Sequence, residues 1–236
     1  QQGLALAVAE QRRRDAWLLA LLGGELDPPH LEQGLSSYQL DRDALYVPFC
    51  SETRTESELE SLQQKLSRHF RGAVSMMLPS SGHLVGILSA EPPTIDGHLL
   101  AVGSAAAASD LAASYDVART VLAAATMQFH DGVHTVASLG WRVGVPTAPA
   151  VTELVLARYL APLRDSGAFG DQVIEALRAW LLHDRSIPLT ARALHVHVNT
   201  LRYRLTRFEE LTGRTLADSE TIVELAWALH AEPTVS

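Results

Sequence analysis

The sequence predicts an α+β chain in two parts: a ferredoxin-like α/β domain over residues 40–141 and an all-α domain over 171–236. Three observations predict it. Up to about residue 138, short runs rich in apolar and β-forming residues alternate with stretches of helical spacing. The segment "RVGVPTAPAV" (142–151) then brings two prolines, a glycine and no amphipathic period, which breaks the pattern. Beyond it, every apolar repeat has helical spacing. With 236 residues, 47% of them hydrophobic and 19% charged, the chain can fill two cores and is not of disordered composition.

Residues 1–22 read as a helix with apolar Leu4, Val8, Trp17, Leu18, Leu21 and Leu22, stopping at Gly23-Gly24. Residues 1–30 are expected to be an N-terminal linker or dimerisation helix. The run "RRR" before "AWLLALL" resembles the start of a signal peptide, but no small-residue cleavage site follows, and seven apolar residues fall far short of the roughly 20 that cross a bilayer. No membrane partner is expected. The chain opens on Gln in a stretch of helical character, which reads as part of a longer protein.

"ALYVPFCSE" (44–52) reads as a strand, and "ESELESLQQKLSRHF" (56–70) as a helix with Leu59, Leu62, Leu66 and Phe70 on one face. Strands at 73–79 and 83–90 flank "SSG", a hairpin signal. A strand at 98–104, an alanine-rich helix from 109 to 127 and a strand at 132–138 complete the domain. This order predicts an antiparallel sheet with helices on one face. Residues 142–170 are expected to be a linker containing one helix (152–165). Four helices follow, at 171–183, 189–195, 198–211 and 219–230, the last capped by Asp218 or Ser219.

The short helix at 189–195 and the helix at 198–211, joined by a tight turn, form a helix-turn-helix pattern. Ala191 is small where the helices must cross, and Leu194 and Val196 plug the turn. Leu201, Leu205 and Phe208 recur at i, i+4 and i+7. At 100° per residue, Asn199, Arg202, Tyr203, Thr206 and Arg207 project to the opposite side. Arginines there can reach phosphates and the O6/N7 edge of guanine, Asn199 can bond adenine or a phosphate, and Thr200 can donate to a phosphate at the helix start. His197 either caps the helix or touches DNA. Arg204 lies at the edge of the apolar face and fits a phosphate contact or an internal ion pair. The formal net charge of the chain is −8, yet residues 171–214 carry seven arginines against five acids, so the basic charge is local.

With these residues in view, "ALHVHVNTLRYRLTRFEELTGRTL" resembles the C-terminal helix-turn-helix of the PucR/CdaR family of bacterial transcriptional regulators. The signature H-x-N-T-L-x-Y-R-L falls on His197, Asn199, Thr200, Leu201, Tyr203, Arg204 and Leu205. "VGSAAAASDLAASYDVARTVLAAA" (102–125), with Tyr115, Ala118 and Arg119, is similar to the family's central GGDEF-like domain, which makes the ferredoxin-like part a degenerate GGDEF-like domain. "RRDAWLLALLGG" resembles the helix before it. The resemblance implies a cytoplasmic, sequence-specific regulator that binds promoter DNA in the major groove through residues near 198–211. It implies a homodimer on an inverted repeat and leaves room for a small-molecule effector of unknown identity. Val198 stands where many relatives carry Arg, leaving at most a methyl contact to thymine.

Other chemistry finds little support. The hairpin tip "PSSGHLVG" lacks the acidic pair of a nucleotide cyclase, so no Mg²⁺ site is expected there. The ten histidines show no HExxH or other metal-ligand spacing, and neither a GxSxG elbow nor a GxxxxGK loop occurs. Cys50, the one cysteine, sits in an apolar run as a structural thiol and suits a reducing compartment. The chain is therefore expected to be no enzyme and to hold no cofactor or metal. The rival readings are a nucleotide enzyme or sensor acting through the GGDEF-like domain, and a Fis-like architectural protein of low specificity.

Overall fold

The computed structural model describes residues 2–232 and divides the chain into two compact units, residues 1–143 and 144–236. The side chain of Leu4 and the last residues of the expected C-terminal domain, 233–236, lie outside the described residues.

The first unit begins with α1 (Gln2–Gly23) and α2 (Pro28–Ser37). Asp27 caps α2 by accepting from the His30 N–H, and Pro28 and Pro29 sit in its first turn, where a missing N–H costs nothing. Then come β1 (Val47–Glu52), α3 (Glu56–His69), β2 (Ser75–Ser80), β3 (His83–Leu88), β4 (Leu99–Val102), α4 (Leu111–Ala125), β5 (Gly132–His134) and α5 (Val136–Leu139). The strands form one sheet in the order β2-β3-β1-β4-β5. Its first four neighbours pair antiparallel, but β4 and β5 run parallel. The sheet is thus mixed, where an antiparallel one was expected. The reason is α4, a connection long enough to carry the chain back and start β5 in the same direction as β4.

Helices cover both faces, where one face was expected. Val47, Phe49, Leu84, Leu88, Leu100 and Val102 pack with Leu62, Leu66 and Phe70 of α3 and its C-cap. The alternate positions, Cys50, Val85, Ile87, Leu99 and Ala101, pack with Leu18, Leu21 and Leu22 of α1 and with Leu111, Ala118 and Val121 of α4. The runs "HLVGIL" and "LLAV" are apolar at consecutive positions, as strands buried on both sides must be. The expected linker helix of residues 1–30 therefore supplies core leucines from its C-terminal half, while Leu6 and Val8 near its start stay exposed.

Two glycines are fixed by geometry. At the β2–β3 turn Ser81 and Gly82 both have positive φ, 49° and 79°, the two-residue turn whose twist matches the flanking strands. In β3, a Cβ on Gly86 would lie 2.1 Å from the Met76 carbonyl oxygen and 2.9 Å from the Phe49 ring. Gly86→Ala is expected to cost about 1–3 kcal/mol, read as a lowered urea midpoint; an unchanged midpoint would contradict this packing.

The second unit contains α6 (Pro149–Tyr159), α7 (Ala161–Arg164), α8 (Ala168–Leu182), α9 (Ile187–Ala193), α10 (Val198–Thr212) and α11 (Ser219–Ala231), entered from a 3-10 segment, Gly140–Thr147. Residues 142–170 were expected to be a linker, yet Val155, Tyr159, Leu160 and Leu163 are buried in one core with Val173, Leu177, Leu201, Phe208 and Leu225. The prolines that suggest a break lie within the 3-10 segment (Pro146) and in the first turn of α6 (Pro149).

Polar ties join these helices. The Trp227 Nε1–H donates to Thr152 Oγ1 at 2.9 Å. Glu224 accepts from the Tyr159 hydroxyl at 2.7 Å and pairs with Arg158 at 2.7 Å. The Tyr159 hydrogen bond, helped by Arg158, holds the Glu224 carboxyl below its ordinary range despite partial burial. Because the folded value is depressed, the stabilisation is present above the unfolded carboxylate's pKa and is lost as pH falls through the folded one. Glu224→Gln is expected to lower stability by about 1–2 kcal/mol at pH 7 and to flatten the loss of stability below about pH 4.5. Unfolding midpoints measured across that range check it; an acid limb as steep as wild type would exclude Glu224 as its source.

Candidate nucleic-acid interface

Ser186 opens α9 by accepting from the Leu189 N–H, and Pro188 occupies its first turn, so the helix starts at Ile187, ahead of the expected 189. Thr190 and Ala191 are buried, Ala191 being the small residue the crossing requires. The turn passes through Leu194, His195 at φ 53°, and Val196, both valine and leucine packing on the core. His197 then caps α10, its Nδ1 accepting from the Asn199 N–H at 3.2 Å. Of the two roles open to His197, the structure displays the cap. The helix closes at Gly213, whose φ of 65° allows its N–H to reach the Glu209 carbonyl.

Leu201, Leu205 and Phe208 are fully or nearly buried and form the inner face of α10. Asn199, Thr200, Arg202, Tyr203 and Thr206 are exposed. Arg207 is partly exposed and pairs with Glu210 at 2.5 Å. The Tyr203 ring leans on Phe169, with centroids 5.9 Å apart, so one side of it is committed to α8. Val198 is half-buried and packs on the core, leaving little of its side chain to meet a thymine methyl.

Arg204 was expected among the DNA contacts, with an internal ion pair as the alternative. Its side chain is only 12% exposed, lies 4.0 Å from the Glu175 carboxylate and donates to Gln172 Oε1 at 3.0 Å, an arrangement that fits the internal pair. One residue before Leu205, it is carried by the helical twist to the flank facing α8. Asn199, Thr200, Arg202, Thr206 and Arg207 remain as the outward set.

Arg192 adds a cation that sequence reasoning missed. It is exposed on α9 and has no acidic partner among the described residues. It belongs to the local arginine surplus, but a helix expected to start two residues late leaves its direction unread. Chemically, the outward face offers guanidinium groups, an amide and two hydroxyls without a carboxylate until Glu210. That set suits phosphate oxygens and base edges.

Residues 173–231 match the family model of the PucR C-terminal helix-turn-helix domain. The transcriptional activator PmfR of Paenarthrobacter nicotinovorans is 45% identical over 62 residues, 26% of this chain and 13% of that protein. The purine catabolism regulatory protein of Bacillus subtilis is 35% identical over 91 residues, 33% of this chain and 17% of that one. The carbohydrate diacid regulator of Escherichia coli is 39% identical over 77 residues, 33% of this chain and 20% of that one. The alignments thus span a minor part of each regulator. Residues 173–231 of this chain are thus similar to the PucR C-terminal helix-turn-helix domain and to the segment that these regulators share.

Proposed function

We propose that the chain is a DNA-binding transcriptional regulator of the PucR/CdaR type, acting in the cytoplasm as a homodimer that sets α10 in the major groove of promoter DNA. The observation that carries this reading is the two-sided character of α10. Leu201, Leu205 and Phe208 fix the helix from behind, and Asn199, Thr200, Arg202, Thr206 and Arg207 stand in front. The names of PmfR, the purine catabolism regulator and the carbohydrate diacid regulator support a regulatory role.

On DNA, Arg202 supplies a bidentate fork for guanine or a phosphate clamp, and Arg207 a phosphate contact that Glu210 must partly release. Asn199 and Thr200 lie at the helix start, where backbone N–H groups also favour phosphate. One such helix reads a few base pairs; a two-fold pair spaced one turn apart reads an inverted repeat. The β-α-β-β order of β1 to β3, followed by β4-α4-β5, supports a GGDEF-like first unit that relays a signal. Its hairpin tip, Ser80-Ser81-Gly82, carries no metal-binding acid.

Binding of labelled DNA from upstream of the protein's own gene, compared with scrambled DNA over a salt series, tests the reading. A regulator binds its promoter at least about a thousandfold more tightly. Equal affinity for both would assign the chain to low-specificity architectural proteins.

A further inference from the structure

We propose that the first unit binds a small organic anion, carrying a carboxylate or phosphate together with a hydroxyl or amino group, in a cavity between the β2–β3 hairpin, β1 and α4. The cavity holds about 530 Å³, within the range of small-molecule sites. It lies wholly within the first unit, and the proposal does not rest on the DNA-binding reading.

The lining sorts by chemistry. Val85 from β3, with Leu122 and Ala123 from α4, provides an apolar wall. Tyr115 and Arg119 stand four apart on α4, one above the other on the same face. Among the described residues the Arg119 guanidinium donates only to Asp116, at 3.4 Å through one N–H, and both side chains are well exposed. Its other donors are free to take a carboxylate or phosphate, which matches a guanidinium fork.

Tyr115 is half-buried, and its hydroxyl has no hydrogen-bond partner among the described residues. Such a phenol is left with its hydroxyl available to a partner in the cavity. Burial, with the neighbouring Cys50, pushes the phenol up to about 12, so it stays neutral and does not repel an anion. Cys50 borders the same space, and burial pushes its thiol up to about 12 as well, which leaves an uncharged S–H and no nucleophile.

The hairpin supplies the opposite side. His83 Nδ1 lies 3.0 Å from the Ser81 carbonyl oxygen and donates to it, an arrangement that leaves Nε2 as an acceptor whenever the ring is neutral. The Ser80 hydroxyl lies beside it, and Glu52, the one carboxylate of the lining, stands exposed at the end of β1. A ligand that is only an anion would leave Glu52 and His83 without a donor to accept from. One that also bears O–H or N–H groups satisfies both sides.

The test is an NMR titration of the whole chain without DNA at fixed ionic strength. L-malate is the carboxylate probe, AMP the phosphate probe and ribose the neutral control. Either L-malate or AMP is expected to saturate with a Kd below about 1 mM, shifting the methyl signals of Val85 and Leu122. Saturation by one and not the other assigns the anionic group. Arg119→Met is expected to weaken binding about tenfold and Tyr115→Phe about threefold. Both residues are at least partly exposed and removable without unfolding the unit. Absence of saturable shifts with both anions, equal shifts with ribose, or an unchanged Kd in Arg119→Met would each overturn the proposal.

Discussion

Replacing Arg202 and Arg207 together by alanine is expected to weaken promoter binding by roughly thirtyfold to a thousandfold while leaving the fold intact. Each arginine contact to a base edge or phosphate is taken at about 1–2 kcal/mol, so the pair accounts for about 2–4. Arg202 is exposed, and the Arg207–Glu210 contact is a surface pair worth only a few tenths of a kcal/mol to the helix. The logarithmic salt slope should also fall by about 0.9 for each phosphate that is no longer neutralised. Fluorescence anisotropy at several salt concentrations, alongside thermal unfolding, separates the two quantities. Undiminished affinity in a folded double variant would sink the assignment of α10 as the reading helix. Arg204→Ala offers the contrast: it removes the link to Gln172 and Glu175 and should show first as lowered stability.

The largest stability effect is expected at Phe208. Its side chain is fully buried, and its ring lies 6.2 Å from that of Tyr159 with planes 11° apart. Phe208→Ala removes that stacking and leaves a cavity where α6 meets α10, a change that costs about 3–5 kcal/mol in well-packed cores. Against a domain stability of about 5–15 kcal/mol, that is a large share. In urea the midpoint should drop with little change in slope. DNA affinity should then fall only through the smaller folded fraction, and cooling or excess DNA should restore it. A loss under about 1 kcal/mol would mean the ring is not locked in the core.

The C-terminal site was legible because its signal is local. Leu201, Leu205 and Phe208 fall on one helical face by spacing alone, and the residues between them must then point outward. The direction of Arg204 was half-legible: its place at the edge of the apolar face follows from the helical period, but Gln172 and Glu175 are about 30 residues away in sequence. The segment 142–170 misled because prolines 146 and 149 are breakers in composition and a helix start in space. Tyr159 joins the core through a partner, Glu224, that no local pattern announces. In the first unit the strands were visible as apolar runs, and the pairing of β4 with β5 was not, since register and direction are set by residues distant along the chain. The consecutive apolar positions of β3 and β4 did hold the clue that both sheet faces are covered.

Arg178 reaches from α8 to the last turn of α11, where its guanidinium donates to the Leu229 carbonyl at 2.6 Å and to the Glu232 carboxylate at 2.7 Å. This ties the packing of the second unit to the completeness of its last helix. A chain stopped just before Leu229 already contains α9 and α10, yet it leaves a half-buried cation without its acceptors and the core without Leu229. Such a product would carry the exposed side chains of α10 without the packing that fixes their direction.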